Sequence, residues 1–324
     1  MKRIQLNQTE LEVSPLCLGT VNYGSALADE DALRQMSQFV ELGGNFIDTA
    51  RIYGVWANRG AALSERIIGR WLTETKNRTK IVLATKGAHP EWDNMGVMRV
   101  HPDDIKFDLE ESLKHLSTDY IDLYFLHRDD PQVPVADILQ CLEQARKEGK
   151  IRHYGCSNWK LERIREAAQV AAREGYQGFV CNQLMWSLAD IRFEGLEDKT
   201  FVLMDKPTYE YHEAAGMNAM AYMSIAKGYF MRLAAGEVLP SQVTDVYQTA
   251  GNQKIESLMQ EYAGDSAVTP LNLSLSYLMF HPFPSAPIAS FDDEKQLIDA
   301  MNCSEHPVDL SILKRFGALK EFVC

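Results

Sequence analysis

Four residues with acid–base or hydrogen-bonding side chains end or follow short apolar runs of this 324-residue sequence. Asp48 comes directly after one apolar run, Lys86 and His127 end two others, and Tyr53 lies five residues after Asp48. An acid at the carboxyl end of a buried parallel strand lies where α/β folds carry out chemistry. Taken singly, each residue also has a structural interpretation, such as a helix cap for Asp48, a surface position for Lys86 and a core hydrogen bond for His127.

The chemistry that these residue types predict is proton donation to a carbonyl group. A tyrosine near its ordinary pKa of about 10 is a poor acid at neutral pH. A neighbouring ammonium favours the phenolate and lowers that pKa, and a carboxylate paired with the ammonium keeps it charged. Asp48, Lys86 and Tyr53 would together donate a proton to an oxygen that becomes an alkoxide, while His127 would orient the same oxygen.

The elements that must position these residues alternate between strand and helix patterns. After an N-terminal hairpin over residues 4–13, the pattern predicts eight strands, at residues 16–20, 45–47, 80–86, 120–127, 151–156, 179–181, 217–223 and 287–289. Such alternation implies parallel strands with helices outside, and eight units of this length fit one closed (β/α)8 TIM barrel domain over residues 1–324. An open doubly wound sheet is the alternative, but residues 18–24 lack the G-x-G-x-x-G fingerprint.

The carboxyl ends of all eight strands meet at one face of such a barrel. The residues at those ends are Thr20, Asp48, Lys86, His127, Ser157, Asn158, Asn182, Gln183, Ser224 and Ser290. Three titratable groups on adjacent strand ends are better explained as an active site than as three separate structural residues.

Composition excludes several classes of function. The formal net charge of -12 argues against nucleic acid and anionic membrane surfaces as partners. The N-terminus does not resemble a signal peptide, and no apolar run is long enough to span a bilayer. The six cysteines are scattered without close pairs, as expected for free thiols in a reducing compartment rather than a disulfide framework or a zinc site. We therefore expect a cytoplasmic protein with no bound metal.

Several blocks of the sequence together resemble the aldo-keto reductase superfamily, and the resemblance covers essentially the whole chain. The blocks are residues 46–54, 85–86, 122–127, 155–158 and 182–183. The resemblance implies a (β/α)8 barrel whose base is closed by an N-terminal β-hairpin. It also implies reduction of an aldehyde or ketone, or oxidation of the corresponding alcohol or sugar, by hydride transfer with NAD(H) or NADP(H). Tyr53 would be the general acid/base, Lys86 and Asp48 the pair that tunes it, and His127 the orienting group.

The same resemblance implies a set of cofactor-binding residues. They are Thr20, Ser157, Asn158, Gln183, Trp186, Ser224, Lys227, Ser290, Asp292 and Gln296. Trp186 would stack on the nicotinamide ring, with core packing as the alternative. Trp56 and Trp92 lie in loops over the predicted site, where they would line the substrate pocket or pack the loops.

The C-terminal part of the sequence departs from the family pattern. The segment that usually carries a glycine and a cofactor-binding arginine has Ser290 and Asp292 at those positions, and Ala300 replaces an adenine-facing amide. A carboxylate repels a 2′-phosphate but accepts a hydrogen bond from a free ribose hydroxyl. This slightly favours NAD(H), unless Lys295 or another base holds the phosphate.

Two other classes of function compete with a carbonyl reductase. One is a non-catalytic member of the same superfamily that serves as a regulatory or binding subunit. The other is a metal-dependent barrel hydrolase built on His127, Asp129 and Asp130, although the other strand ends lack further ligands.

Overall fold

The computed structural model describes residues 2–57 and 59–320, and eight parallel strands of it close into a barrel. The strands, with the antiparallel pair β1–β2 first, are β1 (Ile4–Gln5), β2 (Glu12–Val13), β3 (Cys17–Gly19), β4 (Phe46–Asp48), β5 (Val82–Gly87), β6 (Ile121–Leu126), β7 (Ile151–Ser157), β8 (Cys181–Met185), β9 (Asn218–Tyr222) and β10 (Ser285–Ala289). Each barrel strand from β3 to β10 pairs with the next, and β10 pairs back with β3. The predicted (β/α)8 barrel is confirmed.

Helices surround the barrel and follow the predicted alternation. They are α1 (Asp29–Glu41), α2 (Leu63–Thr75), α3 (Pro102–His115), α4 (Val135–Lys147), α5 (Leu161–Glu174), α6 (Lys206–Ala215), α7 (Tyr229–Ala234), α8 (Ser241–Tyr247), α9 (Ala250–Gln260), α10 (Pro270–Met279), α11 (Glu294–Glu305) and α12 (Leu310–Gly317). Helix α5 shows why these segments are helical, because it buries one apolar stripe, Ile164, Ala167, Val170 and Ala171, and ends at a left-handed glycine.

The antiparallel pair β1–β2 closes the base of the barrel. Leu6, Leu11 and Val13 from this hairpin are buried and pack with inward-facing barrel residues such as Phe46 and Met220. This apolar plug excludes water from the lower part of the barrel interior. The polar strand ends lie at the opposite, carboxyl-terminal end, because all barrel strands run in one direction.

Two local predictions were wrong. The strand predicted at 179–181 lies at Cys181–Met185, so Asn182 and Gln183 are inside β8 rather than after it. Ser64 precedes an apolar stripe, a pattern that predicts the N-cap of α2. It makes no cap in the structure, and its hydroxyl instead donates to the backbone oxygen of Thr20 at 3.0 Å. Because this buried hydroxyl pairs with the backbone oxygen that follows β3, it stabilises the barrel rather than the start of the helix.

In the described part of the chain, no helix has the length and apolar character needed to cross a membrane. Cys17, Cys141, Cys156 and Cys181 are buried free thiols, and Cys303 is a partly buried one. Cys324 lies outside the described residues.

Candidate active site

A buried lysine lies at the centre of the carboxyl-terminal mouth of the barrel. Lys86 Nζ donates to Asp48 Oδ2 at 2.6 Å, to the Thr49 backbone oxygen at 2.7 Å and to the Tyr53 hydroxyl at 3.0 Å. An ammonium has three donors, and here all three have partners. Gln183 Nε2 donates to the other carboxylate oxygen of Asp48 at 2.8 Å. The structure therefore brings Asp48, Tyr53 and Lys86 together as the sequence predicted.

The backbone between Asp48 and Tyr53 explains this geometry. Asp48 ends β4, and β5 pairs with β4 in a register that places Lys86 two residues beyond the partner of Asp48. The chain then turns, with the Tyr53 N–H donating to the Ala50 oxygen at 3.0 Å. Gly54 has a φ of 84°, and a Cβ there would lie 2.7 Å from the Leu63 Cβ. A glycine at this position is thus required to return Tyr53 towards the lysine.

Burial governs the electrostatics of this cluster. The side chains of Lys86 and Asp48 are only 1% and 2% exposed. Burial opposes the charge on Lys86, but Asp48 and Tyr53 outweigh it and raise the pKa of the lysine, so the ammonium persists. For Tyr53 the order is reversed, because burial raises the pKa of the phenol by more than Lys86 lowers it. The prediction of a lowered tyrosine pKa was therefore wrong for the protein without a ligand.

His127 directly follows β6 and lies beside Tyr53, with ring centroids 6.0 Å apart. Burial, reinforced by His89 and Arg128, places the pKa of His127 well below its ordinary value, so the imidazole is neutral. Its Nδ1 atom is buried without a hydrogen-bond partner among the described residues. Buried N–H groups without acceptors are rare, so we assign the proton to Nε2.

A second histidine, which the sequence analysis missed, packs against His127. The ring centroids of His89 and His127 are 4.8 Å apart. Burial, reinforced by Arg128, lowers the pKa of His89 to about 4. His89 lies two residues beyond β5, so the carboxyl end of that strand was the only signal in the sequence.

Asn158, directly after β7, hydrogen-bonds residues at the carboxyl ends of three strands, β6, β7 and β9, and one residue of a loop. Its Nδ2 donates to the His127 oxygen at 3.3 Å and to the Ser157 hydroxyl at 3.1 Å. Its Oδ1 accepts from the Val202 N–H at 3.1 Å and from the Tyr222 hydroxyl at 2.6 Å. Asn158 also has a φ of 59°, a left-handed conformation that asparagine tolerates better than most residues. The cofactor role predicted for Asn158 requires a nicotinamide amide to replace one of these contacts.

Trp186 does not reach this mouth, which corrects the prediction of a stacking role. Its ring is 2% exposed and packs within 6.2 Å of Tyr209, Tyr277, His281 and Phe283, between the barrel and the outer helices. Core packing, the alternative interpretation, fits these contacts. An aromatic side chain beside Asn158 that does reach the mouth is the partly exposed Tyr222, which ends β9 and whose hydroxyl donates to Asn158.

The loop after β9 contains a run of left-handed residues. Met223, Ala226, Lys227 and Gly228 have φ values of 55°, 51°, 52° and 77°. Such turns direct backbone N–H groups into a concave nest that suits an anion. Lys227 is exposed, whereas the Ser224 hydroxyl is buried and donates to the Ile288 oxygen at 2.6 Å. The N–H groups of Ala226 and Gly228 already donate to the Met223 and Ile225 oxygens at 2.8 Å, so the structure leaves the Lys227 side chain, but not the Ser224 side chain, available to a phosphate.

We call the region around Ser290, Asp292 and Gln296 the adenosine end. The Ser290 hydroxyl donates to the Gly19 oxygen at 2.9 Å, as Thr20 does to the Asp48 oxygen at 2.9 Å. These two hydroxyls therefore join strand ends of the barrel. Gln296 accepts from the Asp292 N–H at 3.1 Å, and its own N–H donates to Asp293 at 2.8 Å. This reciprocal capping fixes the start of α11 and leaves the Asp292 carboxylate exposed.

A strongly acidic groove of about 680 Å³ borders the adenosine end between α1, α2 and α11. Among the described lining residues the one cation is Arg34, which pairs with Asp31, and two of the lining acids, Glu30 and Glu74, pair with Arg70. Lys295, the alternative phosphate ligand, pairs with Asp299 instead. The acidic lining residues are Glu30, Asp31, Glu41, Glu74, Asp292, Asp293 and Glu294. We call this feature the acidic groove.

Trp56 and Trp92 form one wall above the tyrosine. Trp56 lies 6.5 Å from Tyr53 and 5.6 Å from Trp92 between ring centroids. Trp92 is 52% exposed, and its loop is tied to the barrel by an ion pair between Glu91 and Arg51. The predicted substrate residues thus lie together at the mouth.

Asp129, a ligand of the alternative metal site, instead forms an ion pair with Arg163 at 3.0 Å. Among the residues that the structure describes, no three His, Cys, Asp or Glu side chains are grouped as metal ligands would be.

The barrel and its buried lysine–tyrosine pair together define a barrel oxidoreductase. The sequence profile of the Aldo/keto reductase family matches residues 15–321, and the chain belongs to this family. The family uses nicotinamide cofactors and acts on small carbonyl compounds.

Individual proteins show the same relationship. The chain is 31% identical over 333 residues to the uncharacterised oxidoreductase YrpG of Bacillus subtilis, covering 97% of this chain and 94% of the relative. It is 33% identical over 197 residues to a norsolorinic acid reductase of Emericella nidulans, covering 57% of this chain and 49% of the relative. An aldo-keto reductase from Bacillus halodurans in its holo form matches with a TM-score of 0.76 and 25% identity, covering 100% of this chain and 98% of that one.

Proposed function

We propose that this protein reduces an aldehyde or ketone, or oxidises the corresponding alcohol or sugar, with a nicotinamide dinucleotide. The observation that carries the proposal is the buried Lys86 ammonium, which contacts the Asp48 carboxylate and the Tyr53 hydroxyl at once. A phenol held against a charged lysine at the mouth of a barrel is suited to exchange a proton with a reacting oxygen.

Each side chain of the site has a defined task in this proposal. Tyr53 donates its proton to the carbonyl oxygen as that oxygen gains negative charge. Lys86 stabilises the phenolate that remains, and Asp48 keeps Lys86 charged within the buried mouth. His127 donates its Nε2–H to the same oxygen and orients it. Because the imidazole is neutral, it acts as a hydrogen-bond donor and leaves proton transfer to the tyrosine.

The residues present fit a nicotinamide dinucleotide. The left-handed loop from Met223 to Gly228 presents the exposed Lys227 as a cation for the pyrophosphate. Gln183 and Asn158 place amide groups at the mouth, and Tyr222 places an aromatic ring there. When bound, the cofactor supplies or accepts the hydride. The protein positions the carbonyl and moves the proton.

The acidic groove supports NAD(H) rather than NADP(H). A 2′-phosphate near Asp292 would meet several carboxylates and one arginine that is already paired. Two unit charges at 4 Å interact by about 1 kcal/mol even in a water-like dielectric. The exposed Asp292 carboxylate would instead accept a hydrogen bond from a free 2′-hydroxyl.

Oxidation of NADH and NADPH by the purified protein with aldehyde, ketone and sugar substrates tests the proposal. We expect turnover that Tyr53→Phe abolishes while cofactor binding, measured by quenching of tryptophan fluorescence, persists. Binding of the cofactor without turnover of any carbonyl or alcohol would contradict the proposal and favour a non-catalytic binding subunit. Turnover that is unchanged in Tyr53→Phe would contradict the role of the tyrosine.

A further inference from the structure

The turn that follows β5 holds a strained backbone next to the proposed site. Ala88 has a φ of 60°, a left-handed conformation that alanine rarely adopts. The Ala88 N–H donates to the buried carboxylate of Asp108 at 2.8 Å, which holds the turn. Backbone strain of this kind is concentrated at functional sites. The residue that this turn presents is His89.

The hydrogen bonds of His89 define which of its ring nitrogens carries the proton. Its Nδ1 lies 2.7 Å from the Pro90 backbone oxygen. A carbonyl oxygen can only accept a hydrogen bond, so Nδ1 carries the proton and Nε2 of the neutral ring has a free lone pair. Among the described residues Nε2 has no hydrogen-bond partner, and the His89 side chain is partly exposed.

The ring that carries this lone pair lies close to the residues that would bind the substrate carbonyl. His89 packs 4.8 Å from His127 between ring centroids, and His127 lies 6.0 Å from Tyr53. Tyr53 and His127 are the two donors that would hold the carbonyl oxygen. The ring of His89 therefore packs against one of these two donors, His127, and a matching ligand would carry a hydroxyl donor close to its carbonyl acceptor.

We propose that His89 is a specificity-determining residue that accepts a hydrogen bond from a hydroxyl on the carbon next to the substrate carbonyl. The favoured substrates are then α-hydroxy aldehydes and α-hydroxy ketones, and vicinal diols in the oxidative direction. The inference rests on the proposed function. A simple apolar carbonyl leaves the His89 acceptor unpaired, and an unpaired polar group lowers the affinity of a site for the wrong substrate.

Two matched substrates and three variants test this inference. Hydroxyacetone and acetone differ only in the α-hydroxyl. His89→Phe keeps an aromatic ring but removes the acceptor, and His89→Asn retains an amide that can reach Pro90 but not the substrate. His89→Gln keeps an acceptor near the position of Nε2. The measured quantity is the ratio of kcat/KM for the two ketones, compared between variant and wild type, so that their intrinsic reactivities cancel.

We expect the phenylalanine and asparagine variants to lower the ratio about tenfold, the effect of one neutral hydrogen bond, and the glutamine variant to retain most of it. An unchanged ratio in both loss variants overturns the inference, as does an equal fall for both ketones, which would mean that His89 acts through His127. If either loss variant fails to fold by circular dichroism, the other decides. Turnover of both ketones with an unchanged ratio leaves the proposed function intact, whereas no turnover of any carbonyl by wild type overturns both.

Discussion

The catalytic end, formed by Asp48, Tyr53, Lys86 and His127, and the adenosine end of the same barrel mouth are built in opposite ways. At the catalytic end a buried ammonium uses all three of its donors on neighbouring oxygens. At the adenosine end exposed carboxylates border an open groove, although hydrogen bonds hold Ser290 and the start of α11. Removing one member of a buried ion pair costs about 3–5 kcal/mol, whereas exposed pairs contribute about 0–1 kcal/mol. We therefore expect changes to chemistry to be severe and changes to cofactor preference to be mild.

The largest effect should come from removing one hydroxyl at the catalytic end. Tyr53→Phe keeps the ring and its packing, so kcat should fall by about 10²–10⁴ through loss of the general acid. Steady-state kinetics and a thermal melt would check that activity, and not folding, is lost. Activity within a few-fold of wild type would place the proton donor elsewhere.

Lys86→Met should affect stability as well as rate. It leaves Asp48 buried without its cation, which should lower the free energy of unfolding by about 3–5 kcal/mol. The rate should fall too, and the pH profile should shift upward because the tyrosine pKa rises without the ammonium.

Because Asp48 and Lys86 act as a unit, the double variant Asp48→Asn, Lys86→Met should be little worse than Lys86→Met alone. Losses of activity that simply add in the double variant would show that the two residues act independently. Denaturant titration of wild type, Asp48→Asn, Lys86→Met and the double variant would show whether their stabilities follow the same rule.

The neutral histidines of the catalytic end should make stability depend on pH. The pKa of His89 is about 4, below its unfolded value of 6.5, so the unfolded state binds more protons between these values. The free energy of unfolding should thus fall as pH decreases from 7 to 4, and His89 should account for about 3 kcal/mol of that fall. His89→Gln, which does not titrate there, should show a correspondingly smaller loss in urea titrations at both pH values. Identical losses in the two proteins would contradict the lowered pKa of His89.

The smallest effect should be at the adenosine end. Wild type should prefer NADH in kcat/KM, and Asp292→Arg should shift the ratio towards NADPH by about tenfold, equivalent to 1.4 kcal/mol. The shift should weaken at high salt because the site is exposed. Asp119→Arg, the same change at an exposed aspartate just before β6 and outside the lining of the groove, is the matched control and should change the ratio little. A strong NADPH preference in wild type that Asp292→Arg does not increase would refute the charge argument.

Features that follow from the direction of the strands were predicted from the sequence. Features that depend on which side of a strand a side chain faces were not. The barrel and the meeting of Asp48 with Lys86 follow from parallel strands, because all carboxyl ends lie together. The stacking role of Trp186 came from the family resemblance alone, whereas the facing of this residue depends on the strand before it, which was predicted at 179–181. With β8 at Cys181–Met185, Gln183 faces the barrel interior and the tryptophan faces the outer helices. A shift in a strand changes which side chains face the core.

Other features depend on burial, which a sequence shows poorly. Lys86 next to Tyr53 predicted a lower tyrosine pKa, but only the structure shows that burial outweighs the ammonium. Tyr222 lies within the strand predicted at 217–223 as one apolar residue among several, and its bond to Asn158 joins residues 64 positions apart. His89 gave no pattern at all, because its contact with His127 depends on the conformation of one turn.

The hairpin plug at the base of the barrel has a consequence for the order of events in catalysis. Leu6, Leu11 and Val13 close the base of the barrel. In the described part of the chain, the buried lysine is therefore reached from the mouth. Cofactor and carbonyl must therefore pass through the same opening, and whichever lies deeper has to enter first and leave last. We therefore expect an ordered sequential mechanism in which cofactor and carbonyl are bound at the same time. Product-inhibition patterns would show which of the two binds first and dissociates last.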